Sequence, residues 1–184
     1  MLKYPFKIIT KKNKLSNFQK TQKKKIHKMA VAVLIPNKNN ITGTVLFKEK
    51  NNGLQIDYNI KNLSDGKHGF HIHKFGDLTD NCTSACSHFN PDNKTHGGLN
   101  SKIRHAGDLG NIISKNKESK GSIFVKKLTL STSKYNVLGR MIIVHEDEDD
   151  LGLGKNDESL KTGNAGKRLT CGVIGLSLNN IKNT

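Results

Sequence analysis

At 184 residues the chain has room for one domain with a real core, plus a tail. Hydrophobic residues make up 34% and aromatic residues 5%, with no Trp, which is thin for a helical bundle and fits a small β-protein with a Val, Ile and Leu core. The formal charge of +16 is the one feature that suggests a polyanion partner, and no apolar run is long enough for a membrane-spanning helix.

The charge is unevenly placed. Residues 1–28 hold ten lysines and no acidic residue, so +10 belongs to them and +6 is left for the rest. Three readings of this segment stay open: a solvated, disordered tail, an arm for nucleic acid or another polyanion, and an organelle address. A secretory signal is not among them, because Ile8-Ile9 is far too short for an apolar h-region, and a mitochondrial presequence is normally Arg-rich where this segment has no Arg. A cytoplasmic protein is therefore expected. Met29 stands just before the first apolar run and is a candidate second start of translation. The folded domain is expected over residues 29–184.

From Ala30 onward the patterning changes to period two. Ala30–Ile35 and Ile41–Phe47 are strand candidates, and Leu54, Ile56, Tyr58 and Ile60 alternate with polar residues as in a half-buried strand. Phe70 and Ile72 alternate with His71 and His73. Leu109–Ile113, Ile123–Leu130, Met141–Val144 and Val173–Leu178 complete about eight candidates, with Gly, Asn and Asp between them. The pattern predicts an all-β fold, an eight-stranded antiparallel sandwich or Greek-key barrel. Two connections, from Lys74 to Gly107 and from Glu146 to Thr170, are far longer than ordinary loops, which marks them as functional.

Six of the eight histidines and one aspartate read as a single bimetallic site: His71, His73, His88, His96, His105, Asp108 and His145. Neutral imidazole is the commonest ligand for copper and zinc, and one carboxylate added to a histidine cluster suits zinc. His71 and His73 are two apart on a strand, so they share a face roughly 6–7 Å apart and can converge on one ion. His145, at the end of a neighbouring strand candidate, can add a third ligand. The three cysteines (Cys82, Cys86 and Cys171) allow at most one disulfide within the chain, and no second Cys pair supports a zinc ribbon.

Six segments, GFHIHKFGD (69–77), CTSACSHFNP (82–91), HGG (96–98), RHAGDLGN (104–111), VHEDEDDLG (144–152) and GNAGKRLTCGVIG (163–175), together resemble copper–zinc superoxide dismutase of the cytosolic eukaryotic type. The resemblance covers the chain from about Ala30, and the ligand spacing matches without insertion or deletion. It implies copper on His71, His73, His88 and His145, and zinc on His88, His96, His105 and Asp108, one ion of each per subunit. His88 would bridge them as an imidazolate, since two divalent cations stabilise the anion left when the second ring proton is lost. Asp149 would join the rings of His71 and His96 from behind. Arg168 would hold superoxide beside copper, and Asp157, Glu158 and Lys161 would shape the field that guides it. Cys82 and Cys171 would form the disulfide, leaving Cys86 either packed as a small apolar group, the preferred reading, or free to exchange. His68 would be structural. The implied reaction is disproportionation of superoxide to dioxygen and hydrogen peroxide, with copper cycling between two oxidation states and His88 carrying a proton.

A homodimer is implied through Phe75, Gly76, Leu138, Gly139, Val173, Ile174 and Leu176. Lys167 and Leu169 flank Arg168 where prolines accompany dependence on a copper chaperone in the family, so maturation without that chaperone is expected. Two other functional classes remain. A non-enzymatic copper carrier of the same fold would typically lack ligands or the arginine, whereas all are present here. Polyanion binding rests on residues 1–28, and no nucleic-acid fold signature accompanies them.

Overall fold

Period-two patterning over residues 29–61 becomes three consecutive antiparallel strands, β1 Met29–Leu34, β2 Thr42–Lys50 and β3 Gly53–Lys61. They are paired in one register from Leu34↔Gly43 through Lys50↔Gly53. The computed structural model describes residues 29–131 and 133–178; the expectations placed on residues 1–28 lie outside them. Alternate side chains of these strands, among them Ala32, Val45, Phe47, Leu54, Ile56 and Ile60, are fully buried. Burying each large one contributes about 1.5–3 kcal/mol.

The remaining strands are β4 Gly66–His73, β5 Asp108–Ser114, β6 Glu118–Lys126, β7 Met141–His145, β8 Arg168–Val173 and the two-residue β9 Gly175–Leu176. They form two sheets, ordered β6-β3-β2-β1-β9 and β5-β4-β7-β8, with every pairing antiparallel. The inner faces of both sheets meet in one core that includes Phe47, Ile56, Phe70, Ile72, Ile112 and Val144. The architecture is the expected sandwich; the sheets stay open rather than closing into a barrel.

Two strand boundaries differ from the reading of the sequence. Residues 123–130 were expected as a strand, but β6 begins at Glu118, because it pairs with all of β3, and it stops at Lys126, because Lys127 turns into the left-handed region at φ 72°. Residues 173–178 were expected as a single strand. Instead β8 ends at Val173 in one sheet and β9 pairs with β1 in the other, with Ile174 crossing between them fully buried. The side chain of Ile174 therefore belongs to the core, which corrects its expected place on an interface. Phe75 and Leu176 are exposed.

The sheet β5-β4-β7-β8 is buried on its outer face as well. In β4 the last six residues are all buried, and in β7 all five are. His71, His73 and His145 lie on this outer face, beside a second apolar cluster of Ala85, Met141, Ile143 and Cys171. The two long connections cover it. The first spans residues 74–107 and contains a short 3₁₀ turn, Thr83–Ala85; the second spans residues 146–167 and contains α1, Ser159–Thr162.

Candidate metal centre

The first long loop is stitched to the end of β4 by backbone hydrogen bonds. Lys74 N–H donates to Ser87 O, Phe89 N–H to Ile72 O, and Ile72 N–H to Gly107 O, each at 2.8–2.9 Å. His88 is thus carried as on a short extra strand beside His73. The loop is also fastened covalently, since Cys82 and Cys171 form a disulfide with their Cα atoms 5.8 Å apart. Cys86 is the free thiol. It is exposed, not packed as an apolar group as preferred from sequence; it stands at the positive-φ corner (φ 64°, ψ −150°) that closes the 3₁₀ turn.

His71, His73, His88 and His145 form one buried group, and His88, His96, His105 and Asp108 form another. Within each group the donor atoms lie within 4.8 Å of one another. His88 belongs to both. Asp149, 1% exposed, joins the groups from outside: its Oδ2 is 2.8 Å from His71 Nε2, and its Oδ1 is 2.8 Å from His96 Nε2.

These outer contacts decide which ring nitrogen is left for a metal. With Nε2–H of His71 and of His96 donating to Asp149, Nδ1 is the nitrogen that each ring turns toward its group. His73 donates from Nδ1 to Cys86 O at 2.7 Å, and His145 from Nδ1 to Gly166 O at 3.3 Å, so each presents Nε2. Those two Nε2 atoms are 3.3 Å apart. His88 Nδ1 and His105 Nδ1 stand 2.8 and 3.1 Å from Asp108 Oδ1. Asp108 is fully buried, and its other oxygen accepts the backbone N–H groups of Gly97 and His105.

Three buried ring nitrogens, His71 Nδ1, His88 Nε2 and His96 Nδ1, have no hydrogen-bond partner among the described residues. His96 Nδ1 does approach Asp108 Oδ2 at 3.1 Å, but without hydrogen-bond alignment. An unpaired buried polar atom is costly, and three aimed into two histidine groups fit copper and zinc, whose ligands are lone pairs on neutral imidazole. Burial, then the neighbouring rings, hold the pKa of His71 and His73 well below 6.5 and bring His145 to about 3. Burial also lowers His88. His96 goes the other way. Burial opposes its charge, but Asp108 and Asp149 outweigh burial and raise it to about 9, so a metal arriving at Nδ1 displaces a proton from this ring. The surrounding rings hold the Asp108 carboxyl far below its usual range, against the effect of its burial.

An open cavity of about 570 Å³ leads to the first group and is lined by His73, His88, His145, Glu158, Lys161 and Arg168. The guanidinium of Arg168 is tied down by three carbonyls, Nη1 donating to Cys82 O and Thr83 O, and Nη2 to Cys86 O. Asp157 is exposed and does not line this cavity. His68 sits between His145 O and Ser64 O, each 2.8 Å from a ring nitrogen, a structural position.

Three contributors carry no sequence signal strong enough to have been singled out. Asn111 exchanges two 2.8 Å hydrogen bonds with the backbone of Asp149. The carbonyl of Cys86 serves both His73 and Arg168. Gly163 packs directly behind Asp149. A polar residue inside the apolar run Leu109–Ile113 is the one available hint to Asn111.

The combination of an antiparallel sandwich and two histidine groups sharing one ring defines a binuclear metalloprotein. The model of the family "Copper/zinc superoxide dismutase (SODC)" matches residues 41–174. The superoxide dismutase [Cu-Zn] of Paramecium bursaria Chlorella virus 1 is 54% identical over 153 residues, 82% of this chain and 80% of that one. The extracellular superoxide dismutase [Cu-Zn] of Brugia pahangi is 46% identical over 80% of this chain and 76% of its own. The crystal structure of the clock protein EA4 superposes with a TM-score of 0.78 at 38% identity, covering 83% of this chain and 96% of that one.

The chain belongs to the copper–zinc superoxide dismutase family. It is an oxidoreductase that disproportionates superoxide to dioxygen and hydrogen peroxide, with copper and zinc as cofactors. The reading as a non-enzymatic copper carrier is not favoured. Among the described residues no helix is long and apolar enough to cross a membrane.

Proposed function

We propose that His71, His73, His88 and His145 hold copper, that His88, His96, His105 and Asp108 hold zinc, and that His88 bridges the two. The carrying observation is the shared ring: Nδ1 of His88 faces Asp108 and His105, while its buried Nε2 has no hydrogen-bond partner among the described residues. Copper supplies the alternating one-electron reduction and reoxidation that the reaction needs, and zinc, with one oxidation state, supplies charge and order. His88 Nε2, the unpartnered nitrogen of a ring that lines the cavity, is the atom that would take up and return a proton. Arg168 draws the anionic substrate to the end of the cavity where His73, His88 and His145 meet, and its three carbonyl partners keep its cation in place. Asp149 is a positioning residue for both metals, and Asp157, Glu158 and Lys161 shape the approach field. His145→Ala tests the assignment. Copper and superoxide consumption should be lost while zinc content stays, and a variant that keeps its copper would refute it.

We further propose that two copies pair through Phe75, Gly76, Leu138, Gly139, Val173 and Leu176, supported by the exposure of Phe75 and Leu176. Sedimentation showing a single chain at micromolar concentration would reject this pairing. The dismutase domain is assigned to residues 29–184 and a basic extension to residues 1–28. The extension carries any weak polyanion contact, so DNA retention unchanged by deleting residues 1–28 would contradict that role. Intact mass of the native protein tests a start at Met29. The cytoplasm is the proposed location, tested by fractionating cells that make the protein. Chaperone-independent maturation is tested by recovery of activity in cells without the copper chaperone.

A further inference from the structure

A second cavity, of about 350 Å³, lies apart from the channel, between the outer side of the first long loop and the end of β6. Its composition is unlike that of the rest of the domain. Five cations line it, Lys94, Lys102, Arg104, Lys126 and Lys127, against a single carboxylate, Asp92. That is a local charge of +4, where the whole of residues 29–184 carries +6. Asp92 acts electrostatically on Lys94, but its short contacts lie elsewhere. It is already bound by Lys134 at 2.6 Å and by the Tyr135 hydroxyl at 2.8 Å. Among the described residues none of Lys94, Lys102, Lys126 and Lys127 has a carboxylate oxygen within 4.0 Å of its ammonium. Arg104 is anchored through Nη1 to the carbonyls of His105, Ala106 and Asp108, which fixes its guanidinium at the cavity wall.

Like charges gathered without counter-charges repel one another, and an anion relieves that cost. The cavity floor is apolar, through Leu99, Ala106 and Leu128, and Phe124 at its edge is 42% exposed. A concave site near the lower end of the small-molecule range suits a compact ligand rather than a nucleic-acid strand, and +4 suits several negative charges rather than one.

We propose that this cavity binds a short polyphosphate chain, free or carried by a nucleoside. The lysines and Arg104 take the phosphate oxygens as charge-assisted hydrogen-bond acceptors, and Phe124 offers a face on which a base can stack. Calorimetry on the metallated full-length chain at low salt, with tripolyphosphate, ATP and adenosine, tests it. One tripolyphosphate or ATP per chain should bind, weakening as salt rises, and adenosine should not. Tighter binding of ATP assigns the nucleotide as the source, and equal binding assigns the bare phosphate chain; both support the site. The triple variant Lys94→Gln, Lys102→Gln, Lys126→Gln should weaken binding at least tenfold with its melting temperature kept. The triple variant Lys11→Gln, Lys12→Gln, Lys14→Gln should change it less than twofold. Hydrogen exchange should slow on residues 92–104 and 124–128 when tripolyphosphate is added. Absence of binding overturns the proposal, as does binding that survives the cavity variant or disappears with the tail variant.

Discussion

Replacing Gly163 with Ala is the sharpest probe of how this site is held. Gly163 ends α1 with φ 69° and ψ 21°, a left-handed conformation that costs an L-residue about 1–2 kcal/mol. A Cβ there would stand 2.0 Å from Asp149 Oδ1 and 2.5 Å from His96 Nε2, so the carboxylate must retreat. Asp149 Oδ1 accepts from His96 Nε2 at 2.8 Å and from Leu151 N–H at 2.7 Å. Losing hydrogen bonds to a buried charge costs about 1.5–3 kcal/mol each. With the backbone cost, the expected loss is about 4–8 kcal/mol, or roughly 8–32 °C in melting temperature for a domain of this size. Because Asp149 orients a ring in each histidine group, both metals should also dissociate about 10–100 times more readily. Calorimetric melting and metal content after dialysis against a chelator measure the two effects. Gly110→Ala is the control: its φ is 78°, but nothing lies nearer its Cβ than 3.9 Å, so only the backbone cost applies. If Gly163→Ala melts no lower than Gly110→Ala and keeps both metals, the reasoning about Asp149 is refuted.

Cys171→Ser opens a covalent link between residues 89 apart, for which loop-closure entropy gives a loss of about 4–5 kcal/mol; a denaturant melt that loses less than 1 kcal/mol would show that the metals alone hold the first loop. The metal-free protein should weaken in acid. His71, His73 and His145 titrate far lower folded than the unfolded value of 6.5, so their neutral burial costs nothing above 6.5 and progressively more below it. At pH 5 His145, brought to about 3, contributes about 2 kcal/mol of destabilisation, and His71 and His73 act in the same direction. His96, raised to about 9, works in the opposite sense: its stabilisation is complete below 6.5 and fades as pH rises through 9. Urea midpoints of the metal-free protein that match at pH 5 and pH 7.5 would contradict this assignment.

Much of the site was legible because its signals are local. Alternation marks β3, and the step of two between His71 and His73 places both on one face whatever the rest of the fold does. Loop length marked the segment that carries His88 and His96. The misread elements share a different cause. Residues 168–173 read poorly as a strand because β8 is covered on both faces, so burial does not alternate along it. Residues 173–178 read as one strand because their apolar run is continuous, whereas Ile174 spends its side chain on the core between two sheets. Gly163 acts through the room it leaves for a neighbour and the Cys86 carbonyl through a backbone atom, and neither leaves a residue pattern to read, while the Asn111 side chain serves the backbone of Asp149, a partner that no spacing marks.

The arrangement behind the two histidine groups explains why so many of these contacts are shared. Each long loop alone would hang from the sheet by its ends, at a closure cost that grows with length. Here the loops brace one another, through His96 N–H to Leu160 O at 2.8 Å and through the Asp149 carboxylate, while Asn111 ties Asp149 back to β5. One carboxylate thereby sets the tautomer of a ring in each group. A metal held by the group of His96 would keep that ring on Asp149, and Asp149 would keep the ring of His71 with Nδ1 turned toward the other group. The two groups, which share His88 at the front, are thus also linked from behind through one carboxylate.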